Sequence, residues 1–167
     1  MLLDMMIAAS ILPSSPDLGK AEGQCRPGER GPAFIVEVEG FKDRKGRLKL
    51  ELYPANDKDF LADDNILIAA GKPFRRVEVP VAPSGPVSLC IRAPEPGRYA
   101  LSLLHDRNGD RKFALSADGI GFAGNPKLGF SKPSAAAASA VVGADPARIT
   151  IILNYRRGLF SFGPLER

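Results

Sequence analysis

Phe34, Val36 and Val38 alternate with Ile35, Glu37 and Glu39. This period of two places successive side chains on opposite faces of a strand. After a turn over 40–46, Leu48, Leu50 and Leu52 alternate with Lys49, Glu51 and Tyr53 until Pro54 stops the run. Val77, Val79 and Val81 repeat the pattern against Arg76, Glu78 and Pro80, and Val87, Leu89 and Ile91 repeat it against Ser88, Cys90 and Arg92. Pro94-Glu95-Pro96-Gly97 is a turn, and Tyr99, Leu101 and Leu103 mark a strand over 98–104. Ile149, Ile151 and Leu153 mark the last strand.

Between these runs the pattern is weaker. The apolar stretch 66–70 reads as one more short strand, and 56–65 as a polar loop with room for a helical turn. Its acids Asp57, Asp59, Asp63 and Asp64 read as solvated rather than metal-binding. Residues 105–133 are glycine-rich and without period, and the alanine-rich 134–140 suggests a short helix between Pro133 and Gly143. Leu159, Phe160 and Phe162 are apolar enough to fold back on a sheet. About seven short strands at regular spacing, with no long amphipathic helix, predict an all-β fold. The expected architecture is an antiparallel immunoglobulin-like or transthyretin-like β-sandwich.

The bulk numbers agree with one domain. A chain of 167 residues, 44% hydrophobic and 25% charged, can bury a real core. Glycine (17) and proline (15) are abundant, which suits many short elements. Residues 1–32 read as a leader and N-terminal arm, and 33–167 as the sandwich domain. The apolar run from Met1 to Leu12 resembles the apolar part of a secretory signal peptide and is too short to span a bilayer. In an exported chain, Cys25 and Cys90 point to one disulfide. It would close a loop of about 65 residues and stabilise the fold by ~4 kcal/mol. The net charge of +4 gathers at Lys42, Arg44, Lys45, Arg47 and Lys49, and again at Arg156 and Arg157. No nucleic-acid motif accompanies it, so it reads as a solvated face or as attraction to an anionic polymer or another envelope protein.

Candidate chemistry is concentrated in 105–112. His105 is the single histidine, so any Ser-His-Asp or Cys-His arrangement must use it. A hydrolase reading pairs His105 with Asp106 as a base, but no nucleophile elbow, oxyanion hole or dinucleotide pattern accompanies it. No catalytic residue and no organic cofactor is assigned. Asp106, Asn108 and Asp110 occupy relative positions 1, 3 and 5 of a calcium loop. The template then fails: Arg111 stands where glycine is needed, Ala117 where glutamate is needed, and Asp118 comes one residue late. Arg107, Arg111 and Lys112 also add positive charge. The first reading is therefore a turn, with Asn108-Gly109 as a type I′ pair, His105 and Asp106 ending a strand, and Asp110 in solvent. A calcium loop of another kind, using Asp106, Asn108, Asp110 and Asp118, is the alternative.

Several of these segments together carry a resemblance. Pro96-Gly97-Arg98-Tyr99, the run from Leu104 to Lys112, Asp118-Gly119-Ile120-Gly121-Phe122 and Gly129-Phe130-Ser131 resemble the bacterial family called domain of unknown function 2141. The resemblance covers roughly 33–165. It departs at Lys132-Pro133, where asparagines are expected, and at 121–126, where a more acidic segment is expected. It implies a small exported β-sandwich and makes His105, Asp106, Asn108 and Gly109 a signature turn. The resulting expectation is a periplasmic or secreted, non-catalytic binding or accessory module of the cell envelope that does not span the membrane.

Overall fold

A computed structural model describes residues 11–165, and the apolar run from Met1 to Leu12 lies outside them except for Ile11 and Leu12. A short helix, α1 (Lys20–Gly23), precedes two strands, β1 (Ala33–Glu39) and β2 (Arg47–Pro54). The chain continues through α2 (Asp64–Ala69), β3 (Arg75–Pro80), β4 (Val87–Arg92) and β5 (Gly97–Asp106). It ends with β6 (Gly119–Phe122), β7 (Ser139–Val142), β8 (Ala147–Ile152), β9 (Asn154–Arg156) and β10 (Phe162–Pro164).

The strands form two sheets. One has the order β4-β1-β8; the other runs β10-β9-β6-β5-β2-β3, with β7 also paired to β5. The fold is all-β and sandwich-like, with about ten strands rather than seven. β1 pairs β8 in parallel, and the other strand pairs are antiparallel. Phe34 and Val36 from the small sheet and Leu50, Leu52, Leu101 and Leu103 from the large one are fully buried between the two. Each of these six residues was on the alternating face read from the sequence.

The large sheet is buried on its other face as well. Tyr53, Phe60, Leu67, Phe74 and Phe122 form a second apolar cluster with Ala100, Ala135 and Ala138. This explains two differences from the sequence reading. The stretch 66–70 is helix, because α2 caps this cluster through the buried Leu67. A run of five apolar residues carries too little period to separate helix from strand. Residues 135–138 form a turn, and 139–142 pair with β5 as β7, where Ala138 fills a close packing position instead of a helix interior.

Three of the four acids of 57–64 are structural rather than solvated, and Asp63 is exposed as expected. Asp59 pairs with Lys72 at 2.8 Å, Asp64 pairs with Arg76 at 3.1 Å, and Asp57 accepts the Ala135 N–H. Arg76 is buried on β3. It reaches Glu51 at 3.4 Å and donates to the carbonyls of Ser15 (2.9 Å) and Pro16 (3.1 Å). Those bonds hold the N-terminal arm across β3. Gln24 then bridges to Ile91 of β4, and Cys25 is disulfide-bonded to Cys90. The arm therefore joins the free edges of both sheets.

Candidate functional site

β5 delivers His105 to the end of the sandwich. Adjacent strand residues face opposite ways, so His105 and Asp106 diverge. His105 is fully buried. Its Nε2 lies 2.7 Å from the Lys45 carbonyl oxygen, which can only accept, so Nε2 carries the hydrogen. Nδ1 then accepts from the Tyr155 hydroxyl at 2.6 Å. Phe41 and Tyr155 both meet the imidazole edge to face, with centroids at 5.5 and 5.9 Å. Burial pushes the His105 pKa below its ordinary value and the Tyr155 hydroxyl up to about 12. The imidazole is neutral, enclosed and doubly hydrogen-bonded, and it joins β5, β9 and the β1–β2 turn. It makes no bond to Asp106, which removes the pairing that the hydrolase reading required.

Gly119 makes this arrangement possible. A Cβ there would lie 2.6 Å from Tyr155 Cζ, so the phenol can lie over the start of β6 only if the side chain is absent. Gly119 is thus one packing unit with Tyr155, across 36 residues of sequence that give no local sign of it.

Between β5 and β6 the chain makes a long loop, 107–118, instead of a tight hairpin. Two buried carboxylates organise it. Asp106 accepts the N–H groups of Gly109 (2.9 Å) and Arg111 (2.8 Å), and Asp118 accepts those of Arg107 and Ala114 (both 2.9 Å). Asn108 is not in the left-handed region, so the expected type I′ pair is absent. Gly109 (φ 75°) and Arg111 (φ 68°) take positive φ instead. The Asp106 carboxylate outcompetes a local hairpin by drawing both N–H groups inward.

Asp106, Asp110 and Asp118 each bring an oxygen to within 4.8 Å of the others, and Asp106 and Asp118 are buried while Asp110 is exposed. Asn108 is exposed and bonds to Asp110 at 3.3 Å rather than joining the buried pair. The neighbouring guanidinium groups are ion-paired with carboxylates outside the cluster. Arg107 pairs with Asp43 at 2.5 Å, and this bond holds the Asp43 carboxyl below its usual range. Arg111 forms a two-point ion pair with Glu78. Two of the three positive charges that argue against a cation here are therefore paired with other carboxylates, and the third, Lys112, is exposed. Arg111 also supplies the left-handed backbone for which the calcium template uses glycine.

Beyond the loop lies a groove that the sequence reading missed. Phe113 and Leu115 of the loop, Ile120 of β6, Leu128, Phe130 and Phe162 of β10 line a depression of about 310 Å³. These residues come from four separated segments, none with a periodic pattern, so only the closed fold brings them together.

The family model described as "Uncharacterized protein conserved in bacteria (DUF2141)" matches residues 36–150. The chain belongs to that family. The match runs from the middle of β1 to the middle of β8, and includes the whole of the 107–118 loop, His105 and Gly119. No curated protein and no solved structure matches the chain. Within this DUF2141 chain the signature His105-Asp106 pair has a physical role: the histidine locks three elements together, and the aspartate folds the loop.

Proposed function

We propose that this DUF2141 chain is a non-catalytic binding or accessory module of the cell envelope, exported to the periplasm or beyond. The burial of His105 between Tyr155 and the Lys45 carbonyl carries this reading. An imidazole with both nitrogens bonded and no solvent access has no open position from which to accept a substrate proton. The arm 13–32 belongs to the working unit as a strap on the domain 33–167. The Cys25–Cys90 bond supports an oxidising compartment, and no helix among the described residues is long and apolar enough to cross a membrane.

The test is a screen of chromogenic esters, phosphates, glycosides and peptides, run on the wild type and on His105→Gln. The reading expects no turnover that depends on His105. Hydrolysis lost in the variant would overturn it. For compartment, the mature protein from its native host should begin after the apolar N-terminal run; an intact Met1 in the cytosolic fraction would overturn export.

A second reading, calcium binding, is favoured by one observation. Asp106 and Asp118 are buried, they converge with Asp110, and neither has an ion-pair partner among the described residues. Buried carboxylates without a counter-charge are costly, and a hard cation with oxygen ligands relieves that cost. Titration calorimetry and thermal melts with calcium or chelator decide it, since a ligand raises stability by RT ln(1 + [L]/Kd). Asp110→Asn should abolish the calcium response while leaving the chelated melting temperature unchanged. Absence of both heat and melting shift at millimolar calcium would end this reading.

A further inference from the structure

We infer that the groove beside the 107–118 loop binds the acyl chain of an anionic single-chain amphiphile. This names the ligand class of the binding module proposed above and rests on that reading. Phe130 is 80% exposed, Leu115 45% and Phe113 43%, and all three turn into one depression. Scattered surface apolar residues need no explanation, but a contiguous lined trough does. The floor is rigid, because Ile120 and Phe122 belong to β6 and Phe162 to β10. A volume of about 310 Å³ is at the lower end of small-molecule sites, roughly 300–1,000 Å³, which suits one chain.

Charge selects the head group. The single charged residue lining the groove is Lys132. Its Nζ donates one hydrogen bond, to the Phe60 carbonyl at 3.0 Å, which leaves two donors for an anion. A second depression shares Leu128 and Phe162 with the groove and adds Lys127 and Arg157. No carboxylate lines either depression among the described residues. An apolar trough with cations alone at its rim is complementary to a hydrocarbon chain ending in a carboxylate or phosphate. The same rim repels a cationic amphiphile of equal chain length.

The experiment uses the full chain and cis-parinarate, a naturally fluorescent fatty acid, displaced by myristate, by a lysophosphatidic acid or by tetradecyltrimethylammonium. Both anions should displace it, and the cation should be at least about tenfold weaker. Displacement by one anion alone assigns the head group as carboxylate or phosphate. Gly129→Trp should abolish binding by filling the trough. A Cβ at Gly129 meets nothing within 4 Å, so the substitution creates no backbone clash and the melting temperature should not fall below that of the wild type. Lys132→Glu should weaken both anions about tenfold and leave the cation unaffected or improved. The inference is overturned by no probe binding, by binding that survives Gly129→Trp, or by equal displacement by the cation. It is also overturned if the protein adheres to phosphatidylglycerol vesicles without losing probe, because the face would then dock on a bilayer. Recovery of the amphiphile in cleaved form would refute the non-catalytic reading while leaving the groove occupied.

Discussion

The 107–118 loop has a root and a rim, and the two are built differently. At the root, His105, Asp106 and Asp118 are buried with their polar atoms paired, and Tyr155 occupies the space that Gly119 leaves. At the rim, Phe113, Leu115 and Phe130 have few polar partners to satisfy and stand open to solvent. The residues with the most reactive chemistry are thus committed to holding the loop, while the chemically bland ones remain available. In this fold a histidine and an aspartate side by side in the sequence mark a structural junction.

The comparison can be broken at the root first. Gly119→Val puts methyl groups into the Tyr155 ring and should cost about 3 kcal/mol through overpacking, read from thermal or urea denaturation. An unchanged midpoint would mean that Tyr155 does not lie over β6. Tyr155→Phe keeps the ring but leaves Nδ1 of His105 without a donor, and should cost about 2 kcal/mol.

Titration sharpens the same contrast. His105 has a folded pKa below its ordinary 6.5, because burial disfavours the cation. Above 6.5 both folded and unfolded histidine are neutral, and the stability is fully present. Below it the unfolded chain takes up a proton that the folded chain refuses, so stability falls with falling pH until the depressed folded pKa is passed. With one histidine in the chain, this slope should vanish in His105→Gln. Asp43, Asp59 and Asp64, all lowered, add their own losses only below the ordinary aspartate value of 3.8. The smallest effect belongs to the rim. Phe130→Ser should change stability by less than about 0.5 kcal/mol, and a larger loss would show that the groove is part of the core.

Alternation alone located the principal strands. β1, β2, β4 and β5 have one face in the main core, and period two reports that directly. The second face of the large sheet was harder to read. Ala100 and Tyr53 are buried there, yet alanine and tyrosine occupy either environment. Alternation places Arg76 opposite the Val77, Val79 and Val81 face, and its burial depends on carbonyls from the arm about 60 residues earlier. At the tail, Phe162 does return to the sheet as part of β10, whereas Leu159 (78% exposed) and Phe160 (87%) stay in the hairpin tip. The His105–Lys112 stretch was recognisable as a unit but not in its shape. Asn-Gly is a strong local hairpin signal, and the Asp106 carboxylate overrides it by capturing two backbone donors.

The Cys25–Cys90 bond also determines how the molecule carries tension. A pull on the chain upstream first peels the segment held by Arg76 and α1 from β3. The force then reaches Cys25 and crosses the covalent bond directly into β4. The polypeptide between the two cysteines, which includes β1, β2 and β3, is bypassed and carries no load. In a stretching experiment the oxidised protein should therefore extend by a shorter contour than its reduced form, because reduction returns those three strands to the loaded path.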